Sequence, residues 1–291
     1  MDAIATVTAL AVVTLWSATP LATKMAVAEI DPVATAILRT MFSAMAALPL
    51  LLIGRLRLPR GNRSRRYLAV SGLGGFAAFP LLFSLGVEQT SVGHAALILG
   101  ALPVFTGLIA ALLDRRIPGG RWWLGCGVAL AGTAVLVGAR FGLSGEGGAT
   151  AAGDLLVLAS AVAAAAGYVT GARAARETGS WAITLWGIVI GGLTLVPLLP
   201  FALSLSALAE VGPRAWGAVF YLAILSSIVG YAGWYWALGH GDIGRTGLTQ
   251  FLQPLIGVAL AMAILAEPLT VPMVVATAAI LGGVAWARRV S

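Results

Sequence analysis

Charge is what this sequence most lacks. Asp, Glu, Lys and Arg make up 10% of its 291 residues, where a soluble domain carries about 25%. So few charges cannot cover a water-facing surface, which excludes a soluble enzyme. Disorder needs low hydrophobicity and is excluded too, because 59% of the residues are hydrophobic and the mean hydropathy is +0.96. Cysteine is nearly absent. Cys126 stands alone in an apolar run, without a disulfide mate or metal-ligand company, and reads as a small buried apolar residue. Lysine is absent apart from Lys24; the other basic residues are arginines. There is no GxxxxGK[ST] phosphate loop and no Gly-rich strand-to-helix turn. No His/Asp/Glu cluster has metal spacing. No cofactor or metal is therefore expected, and the chain does not read as an enzyme.

What is present is a series of long apolar runs. A helix crossing about 30 Å of hydrocarbon needs about 20 apolar residues. Ten stretches qualify: 3–25, 33–53, 66–87, 91–113, 122–139, 153–173, 181–203, 214–237, 244–265 and 271–287, numbered helices 1 to 10. A membrane β-barrel would alternate over about 10 residues, whereas runs such as 97–113 and 184–203 are apolar all round. The expected fold is an all-α integral membrane protein. The first run follows Met1-Asp2 directly, without the basic start of a cleaved signal, and reads as an uncleaved span.

The net charge of +7 would suggest nucleic acid in a soluble protein. Here the arginines crowd short gaps between runs and act as topology signals. Arg55, Arg57, Arg60, Arg63, Arg65 and Arg66 follow helix 2. Arg115, Arg116 and Arg121 follow helix 4, and Arg173 and Arg176 follow helix 6. Arg245 follows helix 8, and Arg288 and Arg289 end the chain. The opposite side holds Lys24, Arg140 and Arg214. This bias puts both termini in the cytoplasm of a cell with this protein in its inner (plasma) membrane. The partners expected are the bilayer and a small molecule, with no nucleic acid.

Sliding the chain by 151 residues aligns Gly93 with Gly244, Leu97 with Leu248, Pro103 with Pro254, Ala110 with Ala261, Leu130 with Leu281, Gly132 with Gly283 and Ala134 with Ala285. The reading is a duplication, with halves 1–140 and 150–291. Each half has five helices. An odd number inserts the second half upside down, and inverted repeats are a transporter device that can alternate between two open states.

At these residues the chain resembles a family. TLWSATPLATK in helix 1, LGVEQTSVGHAALILGALPVFTGLIAALL across helices 3 and 4, and GRTGLTQFLQPLIGVALAMAILAEPLT in helix 9 are similar to signatures of the drug/metabolite transporter superfamily, EamA type. Within it the resemblance is to YddG-like amino-acid exporters. The resemblance implies an alternating-access carrier with a central cavity between helices 1, 3, 4, 6, 8 and 9. Two departures stand out: helix 6 lacks a tryptophan matching Trp16, and Ala266 precedes Glu267 where relatives often have glycine.

Candidate contacts follow from cost. Intramembrane charges are expensive and usually functional. The eleven acids, Asp2, Glu29, Asp31, Glu88, Asp114, Glu146, Asp154, Glu177, Glu210, Asp242 and Glu267, all fall at helix ends or in loops of these spans. No mid-helix carboxylate is available as a proton carrier. A facilitator is expected over a proton-coupled exporter of cationic drugs. A membrane enzyme or a non-transporting sensor remains an alternative of another class. Lys24 and Arg39 either snorkel to the outer interface or draw an anion to the outer mouth. His94 is either a pH-sensitive gate or a solvated helix-end residue, and His240 is an inner-loop residue without a role. Phe76, Phe79 and Phe83 share a helix 3 face. Tyr231, Trp234 and Tyr235 share one in helix 8, where with Trp236 they form either a cavity wall or an interface belt; Tyr221 lies further out. Trp16 and Tyr168 are cavity candidates in helices 1 and 6. Gln250 and Gln253 lie one turn apart, as cavity amides or helix–helix bonds. Pro20, Pro80, Pro103 and Pro254 are hinge candidates, each freeing a backbone carbonyl. Gly125, Gly127, Ala131 and Gly132 in helix 5, with Ala278, Gly282 and Gly283 in helix 10, offer small faces for packing of the halves or for a homodimer. The expected cargo is a neutral or aromatic amino acid.

Overall fold

The computed structural model describes residues 3–115, 119–138, 150–240 and 249–288. Asp2, Arg116, Arg140, Glu146, Asp242, Gly244, Arg245, Leu248 and Arg289 lie outside the described residues. The described residues form helices and no strand. In hydrocarbon every backbone polar group needs an internal partner, and an apolar helix supplies that. Seven helices are long and apolar enough to cross a membrane. They are helix 1 (Ala3–Val27), helix 2 (Pro32–Ile53), helix 3 (Asn62–Glu88), helix 4 (Val92–Asp114), helix 6 (Ala151–Thr178), helix 7 (Ser180–Ala202) and helix 8 (Pro213–Ala237). Helix 5 (Gly120–Gly138), helix 9 (Leu252–Leu265) and helix 10 (Val271–Arg288) are further apolar helices.

Polar residues start the helices. Asp31 accepts from the Val33 and Ala34 amides, with Pro32 at the first helical position. Ser91 caps helix 4 through His94 N, and Thr150 caps helix 6 through Gly153 N. Two boundaries move outward from the sequence reading. Helix 3 starts at Asn62 and helix 6 runs to Thr178. Arg63, Arg65 and Arg176 are therefore helical like Arg66 and Arg173, not loop residues, because their charges extend past the apolar zone on solvated helix ends.

Helix interruptions are local and specific. Helix 1 breaks at Ala18, helix 4 at Gly100–Ala101, and helix 9 starts with a tight turn over Thr249–Phe251. Pro20, Pro103 and Pro254 each sit in the first turn of the segment after a break, where a missing N–H is tolerated. Pro80 opens the last part of helix 3 after a wide π-type stretch, Gly72–Ala78. Helix 8 carries a second such stretch, Tyr221–Gly230, without a proline.

Helix 5 lies along helix 10. A Cβ on Gly132 would meet Ala279 Cβ at 2.6 Å, and one on Gly283 would meet the Gly125 carbonyl at 2.4 Å. Those small residues are used within the chain, while Gly127 and Gly282 face open space. Cys126 is buried and free, packed with Val104 and Ala129.

The central core is aromatic. Trp16 stacks on Tyr168 (centroids 5.4 Å, 6° between planes) and meets Tyr231 edge-on at 5.4 Å. Gly230 makes room, since a Cβ there would lie 2.3 Å from Trp16 Nε1. Gly230→Ala is expected to cost about 1–3 kcal/mol through overpacking, read as a lower melting temperature in detergent. Gly217→Ala, which meets nothing within 4 Å, should leave melting unchanged or slightly higher, since Ala is the better helix former. Equal behaviour of the two variants would contradict the close approach.

Candidate functional site

One cavity of about 590 Å³ reaches the surface at the end of the molecule marked by Asp114, Arg176 and His240. Arg173 bridges its rim, 2.7 Å from Asp114 Oδ1. Its deep wall is made by Tyr168, Trp234, Tyr235 and Gln250. Tyr168 also lines a second, much smaller chamber of about 10 Å³ with Trp16, Thr19, Arg39, Phe79, Ser226, Tyr231 and Gln253. Tyr168, which lines both, stands between vestibule and chamber, with Trp16 stacked on it from the chamber side.

These positions correct several expectations. Arg39 does not snorkel: it is 2% exposed. It is the eighth residue of helix 2, about 10 Å along the helix, and its head turns inward to helix 8. Its Nε donates to Ser227 Oγ at 3.3 Å and its Nη2 to Ser226 Oγ at 3.4 Å, and its guanidinium carbon lies 5.5 Å from the Phe79 centroid. Trp234 and Tyr235 are not an interface belt, being buried beside Trp16 and Tyr231. His240 ends the helical segment Tyr231–His240 that continues helix 8, stacks on Trp236 at 4.5 Å and lines the vestibule. The two glutamines divide, Gln250 to the vestibule and Gln253 to the chamber. Phe76 packs on Tyr231 at 4.4 Å and Phe83 stacks on Phe79 at 5.2 Å, behind the wall. Pro254 lies against Gly100 beside the Pro103 break.

At the opposite end polar ties join the helix ends. His94 is not solvated: it is 2% exposed, and its Nδ1 lies 2.9 Å from Oδ2 of Asp154, which is fully buried. Thr90 donates to the other Asp154 oxygen. Asp154 is in the first turn of helix 6, as expected for a helix end, but the helix 3–4 turn covers it. Lys24 is not free to snorkel either, since its ammonium donates to the Val87 and Thr90 carbonyls at 2.8 Å. Glu267 accepts from Val92 and Gly93, both at 2.8 Å, a carboxylate on a helix N-terminus. Glu29 accepts from Gly212 N at 2.6 Å.

Sequence reasoning missed Thr19, Ser226, Ser227, Thr90 and the Glu267 cap. The Ser226-Ser227 pair inside an apolar run was a usable signal. The others depend on which helix ends meet.

The chain matches the EamA-like transporter family over residues 3–138 and again over 151–289. It belongs to that family. The uncharacterized transporter YdeK of Bacillus subtilis (strain 168) is 32% identical over 268 residues, 92% of this chain and 91% of that one. A "probable amino-acid metabolite efflux pump" of Escherichia coli (strain K12) is 28% identical, covering 91% and 88%. A "probable terminal-alkyne amino-acid exporter" of Streptantibioticus cattleyicolor is 28% identical, covering 77% and 71%. A solved crystal structure superposes with a TM-score of 0.64 at 24% identity, over 97% of this chain and 96% of its own, which shows a shared fold. This EamA-family protein is a multi-pass membrane transporter and not an enzyme.

The tied end supplies a stability test. Ala266 holds a left-handed φ of 52°, a conformation that costs about 1–2 kcal/mol for an L residue, and it delivers Glu267 to helix 4. Ala266→Gly should raise the melting temperature in detergent, and Glu267→Ala, which loses two charged hydrogen bonds, should lower it. Shifts of the opposite signs would contradict this cap.

Proposed function

We propose that this transporter exports small amphipathic metabolites, neutral and aromatic amino acids first, across the inner (plasma) membrane by alternating access. The carrying observation is a vestibule that reaches the surface beside Asp114, Arg176 and His240 and runs in to an aromatic wall, while polar ties join the helix ends at the opposite end. The residues serving the cargo are Trp16, Phe79, Tyr168, Tyr231, Trp234, Gln250 and Gln253, with Phe76 and Phe83 backing them. The amides meet the polar groups of an amino acid and the rings meet its side chain.

The design behind this reading is ten crossings in two inverted five-helix halves, 1–140 and 150–291. Three features support it. The family matches twice, on either side of residue 150. The π-type stretches at Gly72–Ala78 and Tyr221–Gly230 overlap under the 151-residue shift. The Glu29–Gly212 and Lys24–Thr90 bonds, both made by the end of helix 1, bring the end of helix 3 to the face where helix 8 begins, so these counterparts run in opposite directions. The arginine-rich vestibule end is then cytoplasmic, with both termini, and the conformation is inward-open. Pro20, Pro80, Pro103 and Pro254 are the hinges, and His94 belongs to the outer gate. Helices 5 and 10 join the halves; a homodimer would use the side carrying Gly127 and Gly282.

Transport driven by the cargo's own gradient is the primary reading. The buried His94–Asp154 pair favours a second one, in which a proton moves through the outer gate past Lys24 and Glu267. Proteoliposomes preloaded with unlabelled phenylalanine should accumulate labelled phenylalanine by counterflow. Phe79→Ala and Gln253→Ala should each slow this about tenfold, the scale of one lost buried polar or packing contact. Absence of counterflow would refute the amino-acid reading. Stimulation by an imposed pH gradient, lost in Asp154→Asn, would select the coupled one.

A further inference from the structure

Arg39 is a fully buried cation in the core of helix 2, and its surroundings are incomplete. A guanidinium carries five N–H donors and cannot be neutralised in a protein. Two contacts to serine hydroxyls, at 3.3 and 3.4 Å, use Nε and Nη2. Nη1 has no hydrogen-bond partner. Among the described residues no carboxylate pairs with it; the ion pairs there are His94–Asp154 and Arg173–Asp114. Buried charges are normally paired, and an intramembrane arginine without a counter-ion marks a site.

The chamber gives the missing partner its shape. Arg39 lines it with the hydroxyl-bearing Thr19 and Ser226, which are 3.1 Å apart, and with Gln253. The remaining wall is Trp16, Phe79, Tyr168 and Tyr231 with two leucines. A planar anion fits a guanidinium fork, and an apolar body fits the rings. At about 10 Å³ the chamber holds about one water, so a cargo enters only when the Trp16–Tyr168 stack parts from the vestibule side.

We propose that Arg39 is the carboxylate anchor of the transport site, and that the cargo is a small organic acid or zwitterion whose carboxylate docks on Nη1 beside Thr19 and Ser226. This rests on the chamber being the cargo site proposed above and specifies its chemistry. The charge that the carrier lacks on its own side chains is brought by the cargo. A cargo with an ammonium and no carboxylate meets a like charge and is refused.

The test uses the full-length protein in nanodiscs and four probes of one shape: phenylalanine, phenylalaninamide, 3-phenylpropionate and phenethylamine. Binding is followed by calorimetry. The two acids are expected to bind at least about tenfold tighter than the amide and the amine, the scale of one charged hydrogen-bonded contact. The contrast lies in the ligands, so it needs no variant to fold. Arg39→Lys should keep a reduced preference for acids, and Arg39→Gln should abolish it. If 3-phenylpropionate binds and phenylalanine does not, the anchor stands and the amino-acid reading falls. If the amide or the amine binds as tightly as the acids, or no acid binds, the anchor is overturned.

Discussion

The cost of holding charge in hydrocarbon organises this molecule. With 10% charged residues, it can cover a long apolar perimeter with Leu, Val, Ile and Ala, and it spends its polar groups in three places. Arginines sit at the vestibule end. Lys24, His94, Asp154 and Glu267 tie helix ends together at the other. Arg39 stands alone between them, in the wall of the chamber. Charged groups at the two ends can reach water or each other. Arg39 can do neither, and it draws the serines and the aromatic rings of helices 1, 3, 6 and 8 into one site.

The second constraint is backbone continuity. An apolar helix needs no outside partner, so each interruption has a local use. The break at Ala18 falls two residues after Trp16, and the breaks in helices 4 and 9 sit side by side through Gly100 and Pro254. The π-type stretch of helix 8 puts Ser226 and Ser227 against Arg39 and gives Trp16 Nε1 a carbonyl at 2.9 Å. Prolines marked most of these places in advance. The π-type stretch of helix 8 has no proline and left no such mark.

Much of the fold was legible, because length and apolarity fix a membrane helix almost alone. The aromatic residues were legible as helix faces, and Trp16, Tyr168, Tyr231 and Trp234 do converge. Their depth was not. Trp234 reads equally as interface or core until helices 1 and 6 are in place around it. Polar residues near helix ends were misread for a related reason. Asp154 and His94 lie in first turns, which normally meet water, but here two such turns cover each other. Arg39 was visible as a charge in a span. Only the packing of helix 8 against helix 2, which puts Ser226 and Ser227 at its head, separates an interface residue from a buried one.

The central claim is a cavity open at one end and closed at the other, which exchange roles as cargo crosses. Cysteine accessibility tests it directly, since the native thiol, Cys126, is buried and can be replaced by serine. In that background Ala172→Cys lies in the vestibule wall, and Ala95→Cys lies beside His94 at the closed end. A membrane-impermeant thiol reagent should label position 172 from the arginine-rich face and position 95 poorly from the other. Saturating phenylalanine on both sides should slow labelling at 172 and speed it at 95. Changes of the same sign at both positions, or no change at either, would contradict the account.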